Sequence, residues 1–497
     1  EWRFEFPEVL NENGEFMGFD LVVGNPPYIR QEEIKELKPS LAKAYEIYSG
    51  TSDIYTYFFE LGFKVLNKGG ILSFITSNKF ARVGYGANLR EFLLNKTTLL
   101  EFVDLNGLKV FENAVVDTSI VSFIKDKASL THKLNYANPS EKDLSTLTYT
   151  QIPQSKLNKE AFIFGDDALF ELKSKIESVG TPLKEWDIAI NYGIKTGYNE
   201  AFIIDTQTKE MILKACDDSD KSRKPYPCHT DLSCHTEHSE VSKNKGVDSS
   251  LSTKTQNDKA DCHADKSACS IAMLTERERT AKLIKPILRG RDIKRYSYEW
   301  AGLWLIFVSW HFPNTQNPKS MDENEKDLAR LYPSLYKYLL SHKEKLSKRN
   351  KDETGIRYEW YCLQRYGANY YEDFEKEKIV YPNMNKEFIA SYDTQRFYTN
   401  QKCFIITSKN ENLTYLTALL NSKLNFWYFK QIGATLGANG YEMSKIFVEK
   451  LPIPKITKEN QNLVDELVKL VNQILALKGQ ISSADTNKLE KDIDNLI

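Results

Sequence analysis

This chain of 497 residues lacks long apolar runs and paired cysteines. No stretch of about 18 apolar residues occurs, and no charged leader followed by an apolar stretch opens the sequence, so we expect neither membrane insertion nor secretion. The seven cysteines have irregular spacing, which predicts reduced thiols in a cytoplasmic protein rather than a disulfide framework. The length leaves room for about two to four domains with real cores.

An excess of positive charge is also missing, since the formal net charge is −1. A protein that binds nucleic acid needs cationic surface, so any such surface must be local. The stretch 282–295 is basic, with Asp292 as its only acid. The candidate phosphate contacts in it are Lys285, Arg289, Arg291, Lys294 and Arg295. A solvated face is the alternative interpretation of such a run.

The most informative motif is Asn25-Pro26-Pro27-Tyr28, which follows the apolar run Phe19–Gly24, a pattern typical of a buried strand. The exocyclic amino group of a base is a poor nucleophile, because its lone pair is delocalised into the ring. The side-chain oxygen of Asn25 and the main-chain carbonyl of Pro26 can each accept one of its N–H groups, which favours a pyramidal nitrogen that attacks a sulfonium methyl group. The prolines fix φ and remove backbone donors, and the ring of Tyr28 offers a stacking face.

The motif therefore predicts methylation of an amino group on a base that has left the duplex. An ordinary turn at the end of a strand is the alternative, because Asn and Pro are both common turn residues.

From residue 19 to about residue 126, the chain resembles the second half of the catalytic domain of N6-adenine DNA methyltransferases from restriction-modification systems. In that family Asn-Pro-Pro-Tyr after a strand is the catalytic motif. A helix, a strand with its loop, and two last strands then follow, and they correspond here to 53–60, 70–80, 99–105 and 115–124. The resemblance implies that Asn25, Pro26, Pro27 and Tyr28 are catalytic and that S-adenosyl-L-methionine is the cofactor.

The same resemblance implies that Phe111 stacks on the flipped base together with Tyr28, because Val110-Phe111 falls where the family places a second aromatic residue. A lone Phe beside a strand is a core residue more often than not. The sequence does not decide whether Asn78 or Lys79, in the loop at 70–80, contacts DNA or caps a turn.

The cofactor half of such a domain is missing from this sequence. The family fold requires a Gly-rich turn and an acidic residue ahead of the catalytic motif. The single Gly-x-Gly, Gly84-Tyr85-Gly86, comes after the motif, and about 18 residues precede the strand, too few for three strands and their crossovers. We therefore expect an α/β fold that is the C-terminal half of a doubly wound, Rossmann-like methyltransferase sheet. We also expect a fragment or split half with an uncovered apolar strand edge, and a partner chain that carries the cofactor-binding half.

Residues 169–454 resemble the target-recognition domain of TaqI-type methyltransferases. The segments that carry the likeness are 192–202, 284–296, 419–424 and Leu451-Pro452-Ile453-Pro454. Because a catalytic pocket contacts only one base, a second domain must read the groove edges of double-stranded DNA and grip its phosphates. We expect the catalytic part at 1–145 and an α+β target-recognition domain at 150–455.

The segment 456–497 is expected to form a C-terminal amphipathic helix that packs on its own chain. The apolar residues at helical spacing are Leu463, Leu467, Leu470, Val471, Ile474 and Leu477.

Two segments of the recognition region remain open to more than one interpretation. Residues 216–270 are rich in Ser, Thr, Lys, Asp and His, so we expect a disordered insertion. Its near-repeats, Cys228-His229-Thr230-Asp231 and Cys234-His235-Thr236-Glu237, raise a zinc hypothesis, but no Cys-x-x-Cys occurs and we assign no metal. Aromatic residues crowd 358–371 beside Arg365, and they form either a DNA-facing surface or domain core.

Other functions also remain open. The chain is either a site-specific adenine methyltransferase or a non-catalytic DNA-recognition module, which the missing cofactor half favours. A third alternative is the modification and recognition part of a fused restriction endonuclease-methyltransferase. Asn-Pro-Pro-Tyr also occurs in methyltransferases that act on RNA bases or protein glutamines, but a small acceptor needs no long recognition region.

Overall fold

The structure is a computed structural model that describes residues 2–108, 110–111, 117–141, 143–222, 274–349, 358–435 and 440–497. Residue contacts divide the chain into two compact units. The first unit comprises residues 1–193, 289–299 and 372–497, and the second comprises 194–288 and 300–371. These units are defined by contacts between residues. The boundaries predicted at 145 and 455 separate segments of different function, and they stay predictions.

Six strands form the main sheet of the first unit: β1 (Phe19–Gly24), β2 (Leu66–Ser77), β3 (Thr98–Asp104), β4 (Thr118–Ile124), β5 (Lys133–Ala137) and β6 (Thr150–Pro153). Their order is β1-β2-β4-β3-β5-β6. β2 runs parallel to β1 and β5 runs parallel to β3, whereas β4 is antiparallel to both β2 and β3. The carboxyl ends of β1, β2, β3 and β5 therefore meet at one edge of the sheet, which we call the carboxyl edge.

Short helices connect and flank these strands: α1 (Trp2–Glu5), α2 (Lys38–Ala44), α3 (Tyr55–Val65), α4 (Ala87–Lys96) and α5 (Asp167–Val179). α3 packs on β2, where the rings of Phe59 and Phe74 meet edge to face at 5.5 Å. The helix predicted at 53–60, the strand with its loop at 70–80 and the last two strands are confirmed to within a few residues. The last strand begins at Thr118, and residues 115 and 116 lie outside the described residues.

Strand β1 stands at the end of the strand order and is an edge strand within the described residues. Its side chains Leu21 and Val23 are 58% and 69% exposed. Because residues two apart share one face of a strand, the pair forms an apolar strip along the sheet margin. The uncovered apolar edge expected from the sequence is therefore present in the described part of the sheet.

The remaining strands follow in chain order: β7 (Thr181–Pro182), β8 (Ile188–Tyr192), β9 (Ile203–Asp205), β10 (Ile284–Leu288), β11 (Ile293–Lys294), β12 (Ser297–Tyr298), β13 (Leu303–Ile306), β14 (Lys378–Pro382), β15 (Met384–Asn385), β16 (Ser391–Asp393), β17 (Tyr398–Thr399), β18 (Cys403–Ser408), β19 (Ala434–Thr435), β20 (Tyr441–Glu442) and β21 (Pro452–Ile453). The remaining helices are α6 (Asn199–Phe202), α7 (Thr206–Ser222), α8 (Glu276–Leu283), α9 (Met321–Leu331), α10 (Pro333–Leu340), α11 (Lys343–Ser347), α12 (Leu413–Asn421), α13 (Lys423–Ile432), α14 (Lys445–Val448), α15 (Gln461–Gln480) and α16 (Asn487–Leu496).

An antiparallel sheet with the order β16-β14-β18-β8 forms a second core in the first unit. Every residue of β14 is buried, and the ring of Tyr381 in this strand stacks on Phe404 with centroids 5.3 Å apart. Lys378, the first residue of β14, pairs with Asp393 at 2.7 Å between Nζ and Oδ2, and neither side chain is exposed. A buried charge of this kind is tolerated only because it is paired.

The amphipathic helix predicted near the C-terminus is confirmed as α15, and a second helix, α16, packs against it. The buried residues of α15 are Val464, Leu467, Val471 and Ile474, and they join the hydrophobic cluster of the antiparallel sheet. Packing within the same chain is therefore confirmed. The predicted stripe was wrong at its ends, where Leu463 and Leu477 are exposed, because residues seven apart at 463, 470 and 477 lie on one flank of a narrow buried face.

The second unit contains β9, β10 and β13, with β13 antiparallel to both β10 and β9. Helix α7 buries Ile212, Leu213 and Cys216 and continues to Ser222. The predicted insertion therefore does not begin at residue 216, because the buried face of α7 orders the chain there; residues 223–270 of that prediction lie outside the described residues. No helix within the described ranges is long and apolar enough to cross a bilayer.

Candidate active site

The predicted catalytic motif lies at the carboxyl edge, directly after β1. Asn25 and Pro27 are exposed, whereas Pro26 is buried. Gly24 ends the strand close to β2, since a Cβ atom at this position would lie 3.2 Å from Cε1 of Phe74. Ligands of open α/β sheets bind in crevices outside the carboxyl ends of the strands. The exposed Asn25 side chain is therefore accessible at the place where a ligand is expected.

Two contacts anchor the chain that follows the motif to the start of α3. The main-chain N–H of Gln31 donates to Oδ1 of Asp53 at 3.0 Å, and the N–H of Ile54 donates to the carbonyl of Ile29 at 3.0 Å. Burial raises the pKa of Asp53, and the bond from Gln31 and the charge of Lys79 oppose that rise. The motif thus lies between a strand and a helix that hold it on both sides.

The half-buried ring of Tyr28 contacts two other aromatic rings. Its centroid lies 6.3 Å from that of Tyr55, at an interplanar angle of 55°, and 6.2 Å from that of Phe111, at 61°. Burial raises the pKa of Tyr28 to about 12, so the phenol is neutral at physiological pH. The structure brings together the two residues predicted to stack on a base, in the edge-to-face arrangement that aromatic pairs favour.

Tyr55 is a supporting residue that the sequence reasoning missed. It is fully buried, its hydroxyl accepts the N–H of Phe80 at 3.2 Å, and it shares a hydrogen bond of 3.1 Å with the hydroxyl of Tyr85. Tyr55 therefore supports the ring of Tyr28 from the core and ties it to the 3-10 helix Asn78–Ala81. Its place in an aromatic-rich helical run was the only signal of this role.

Asn78 forms hydrogen bonds within the protein. This bears on whether Asn78 or Lys79 contacts DNA or caps a turn, which the sequence left open. Its Nδ2 donates to Oδ1 of Asp104 at 3.0 Å, and its main-chain N–H donates to the carbonyl of Asp117 at 3.0 Å. The N–H of Lys79 donates to Oγ of Ser77 at 3.4 Å, which caps the 3-10 helix. Asp104 and Asp117 are 5% and 6% exposed, so two buried acids stand at the ends of the connection between β3 and β4.

These residues suit the amino group that would accept a methyl group from S-adenosyl-L-methionine, but they do not form a site for the cofactor itself. Gly84-Tyr85-Gly86 forms a 3-10 helix ahead of α4, and a Cβ atom on Gly86 would collide with the carbonyl of Phe80, so packing explains this glycine. In the described part of the sheet, no Gly-rich turn follows a strand at the carboxyl edge. We therefore assign no cofactor-binding residue.

Three of the five basic residues predicted to contact DNA form ion pairs within the first unit. The pairs are Arg289–Asp292 at 2.7 Å, Lys294–Glu299 at 3.4 Å and Arg295–Glu387 at 2.9 Å. Arg291 is exposed, and Lys285 is half-buried in β10 of the second unit. A guanidinium held by a carboxylate must give up that contact to bind phosphate, so Arg291 becomes the strongest candidate of the five.

The aromatic segment 358–371 divides into core and surface. Tyr358, Trp360 and Tyr361 are buried, which confirms the core interpretation for the first part of the segment. Tyr371 and Arg365 are exposed, so only the later part offers a surface.

Comparison with known proteins finds two families, in the order that the sequence suggested. Residues 1–111 match the family of the Eco57I restriction-modification methylase. Residues 285–453 match the TaqI-like C-terminal specificity domain. The resemblance of both parts of the chain to restriction-modification methyltransferases is therefore confirmed.

Two curated relatives and one solved structure illustrate the similarity. The chain is 25% identical over 468 residues to the type II methyltransferase M.BstVI of Geobacillus stearothermophilus, across 91% of this chain and 71% of that protein. It is 21% identical over 498 residues to the type II methyltransferase M.XhoI of Xanthomonas vasicola, across 96% of this chain and 76% of that protein. The type IIL restriction-modification enzyme MmeI, solved in complex with DNA, shares a fold with 99% of this chain at a TM-score of 0.56 and 10% identity; this chain spans 55% of MmeI.

Proposed function

We propose that this chain, which combines an Eco57I-like restriction-modification methylase domain with a TaqI-like C-terminal specificity domain, transfers a methyl group from S-adenosyl-L-methionine to N6 of adenine in double-stranded DNA. Its homologues are type II methyltransferases, which supports DNA methylation as the broad activity. The observation that carries the proposal is the exposed Asn25 at the carboxyl edge, three residues before a tyrosine whose ring contacts Phe111.

Two acceptors, rather than a strong base, activate the amino group in this proposal. Oδ1 of Asn25 and the main-chain oxygen of Pro26 accept its two N–H groups and turn the nitrogen lone pair away from the ring. S-adenosyl-L-methionine, when bound, supplies an electrophilic methyl group. The nitrogen would gain that methyl group as the methyl–sulfur bond breaks and the sulfonium leaves as a neutral thioether, and it would lose one proton through the acceptor oxygens to water.

The aromatic pair captures the base after it leaves the duplex. A flipped adenine stacks on the half-exposed ring of Tyr28, while Phe111 closes the other side of the pocket. The two rings touch in the structure, so entry of the base requires Phe111 to move aside. The neutral phenol of Tyr28, with its pKa near 12, keeps the stacking face uncharged.

The specificity domain chooses the DNA site. Base edges carry the sequence information, and phosphate contacts set the register of the protein on the duplex. Arg291 is placed to contact phosphates first, because it is exposed, whereas Arg289, Lys294 and Arg295 are held in ion pairs. Those three residues contribute to DNA binding only when phosphate replaces their carboxylate partners.

A partner polypeptide completes the enzyme at the edge of β1. The unpaired main-chain groups of an edge strand can extend a sheet, and Leu21 and Val23 supply an apolar contact surface beside them. This partner carries the cofactor-binding half that the described sheet does not provide. It is either a separate chain or another part of a longer restriction-modification protein.

A second candidate function is a DNA-recognition module without catalysis of its own. The observation that favours it is the described sheet at the carboxyl edge, which offers no Gly-rich turn for a nucleotide. The same observation suits the modification and recognition part of a fused restriction endonuclease-methyltransferase. In both cases the chain binds its DNA site, and methyl transfer depends on a segment outside it.

The deciding experiment incubates the chain, completed with the polypeptide that carries the cofactor-binding half, with tritiated S-adenosyl-L-methionine and bacterial DNA that lacks adenine methylation, then counts label in N6-methyladenine after digestion. We expect label with the wild-type sequence and with Asn88→Ala, a matched change at an exposed asparagine of the same unit, and much less label with Asn25→Ala. Label in another base would overturn the adenine proposal. Specific DNA binding without label would favour the recognition module.

A further inference from the structure

We propose that Asn78 and Asp104 form a positioning pair that orients residues 105–107, four residues before Phe111, and thereby sets how the second aromatic ring meets a flipped base. The inference rests on the proposed function and deepens it, because it adds two positioning residues beyond the catalytic motif. Neither residue touches the substrate; both act through Phe111.

Asn78 holds both ends of the connection between β3 and β4, which carries Phe111. It follows β2 directly, and its side-chain amide donates to the carboxylate of Asp104, the last residue of β3, at 3.0 Å. Its main-chain N–H donates to the carbonyl of Asp117, just before β4, at 3.0 Å. One residue therefore bridges two positions that are 13 apart in the chain but adjacent at the carboxyl edge.

Asp104 and Asp117 also accept hydrogen bonds from the first residues after β3. Oδ1 of Asp104 also accepts the N–H of Asn106 at 3.2 Å, and Oδ1 of Asp117 accepts the N–H of Gly107 at 3.5 Å. Gly107 has a φ of +81°, a conformation that glycine adopts without steric cost. These contacts set the direction in which the chain leaves β3, four residues before Phe111.

The pair is sensitive to charge because Asp104 is almost fully buried. The charged and titratable groups that surround its carboxylate are Arg82, Asp117 and Tyr136. Burial raises the pKa of Asp104, and the charge of Arg82 with the hydrogen bond from Asn78 opposes the rise. A neutral amide donor suits this carboxylate, whereas a second carboxylate at position 78 would repel it until one of the two is protonated.

The test replaces Asn78 by a carboxylate of the same size in the full chain. In Asn78→Asp, hydrogen exchange of the amides at 105–107, corrected for intrinsic rates, should show a loss of protection of about tenfold at pH 8. Protection should return at lower pH, where the facing carboxylates share one proton. The exchanged pair Asn78→Asp with Asp104→Asn should be protected at both pH values, because it restores one donor and one acceptor. Asn88→Asp, at an exposed site of the same unit, should leave protection unchanged.

A second readout asks whether the pair acts through Phe111. DNA with 2-aminopurine at the target adenine should give a weaker fluorescence response with Asn78→Asp than with the wild-type chain at pH 8, and DNA affinity measured by anisotropy should stay within about threefold. In a Phe111→Ala background, Asn78→Asp should have no further effect on the response, as a double-mutant cycle requires for residues that act together.

Three results would overturn the proposal: an equal loss of protection at both pH values, no recovery in the exchanged pair, or an undiminished effect of Asn78→Asp in the Phe111→Ala background. The proposed function fails separately, because it is decided by label in N6-methyladenine with the wild-type chain completed by its cofactor-binding half. Protection that follows pH and exchange without any label would retain the positioning pair and reject the methyl transfer.

Discussion

The carboxyl edge of the first sheet and strand β14 use polar side chains in opposite ways. At β14, Lys378 and Asp393 are completely buried and paired at 2.7 Å, and main-chain groups satisfy their other hydrogen-bonding positions. At the carboxyl edge, Asn25 is exposed. The buried pair stabilises the core, whereas the candidate catalytic group remains open to a ligand.

The largest effect is expected at β14. Lys378→Met should lower the free energy of unfolding by about 3 to 5 kcal/mol, because Asp393 would remain buried without its counter-ion. Urea unfolding monitored by circular dichroism measures the change. The double variant Lys378→Met with Asp393→Asn should recover most of the loss, since the amide keeps an acceptor for the main chain without a charge. A loss below about 1 kcal/mol in the single variant would contradict the contrast between the two regions.

The second largest effect is expected at the carboxyl edge, where a substitution should slow methyl transfer without changing the free energy of unfolding. In the complete enzyme, Asn25→Ala should raise the barrier to methyl transfer by about 2 to 4 kcal/mol, since one acceptor of the amino group is lost. The unfolding free energy should stay within about 0.5 kcal/mol of wild type, as is usual for an exposed residue. Single-turnover kinetics measures the first quantity and urea unfolding the second. Unaltered turnover would remove Asn25 from the site.

A smaller effect is expected for the aromatic ring beside Asn25. Tyr28→Ala should weaken capture of the flipped base by about 1 to 3 kcal/mol, the usual contribution of one stacked ring. The fluorescence of 2-aminopurine at the target position reports the capture. Tyr28→Phe keeps the ring and should behave nearly as wild type. An identical signal from Tyr28→Ala and wild type would show that the ring does not stack on the base.

The smallest effect should distinguish an open cation from a paired one. Arg291→Ala should weaken DNA binding by less than about 1 kcal/mol at physiological salt and lower the salt slope by about one, as expected for one phosphate contact. Arg289→Ala should instead mainly lower the unfolding free energy, because Arg289 binds Asp292 at 2.7 Å. Fluorescence anisotropy at several salt concentrations compares the two variants. A larger loss of DNA affinity in Arg289→Ala would reverse the assignment.

The parts of the fold that could be predicted are the elements that depend on a few neighbouring residues. The strand before Asn25 and the helix α15 follow from apolar periodicity over a few residues, whereas the helix at 53–60 came from the family resemblance. The position of Phe111 relative to Tyr28 came from a family resemblance, and the contact of 6.2 Å between their rings agrees with the expected arrangement. The role of the two rings stays a prediction.

The parts that could not be predicted depend on residues far apart in the sequence. Arg295 looked like a phosphate contact, yet its carboxylate partner Glu387 lies 92 residues away. Asn78 and Asp104 are 26 residues apart, and only the antiparallel insertion of β4 beside β2 and β3 brings their strand ends together. Tyr55 looked like one more aromatic residue of a helix, because its hydrogen-bond partners lie in another segment.

Local sequence alone is enough for the proposed chemistry, because Asn-Pro-Pro-Tyr after a strand offers two hydrogen-bond acceptors and an aromatic ring within four residues. Local apolar periodicity also predicted the strand β1 and the helix α15. The tertiary structure decided which polar groups are engaged and which remain open. Arg289 and Arg295 became ion-paired, Asn78 became a bridge between strand ends, and Asn25 stayed exposed. Hydrogen bonds and ion pairs form between atoms that are close in space, and that closeness exists only after the strands have been placed beside one another.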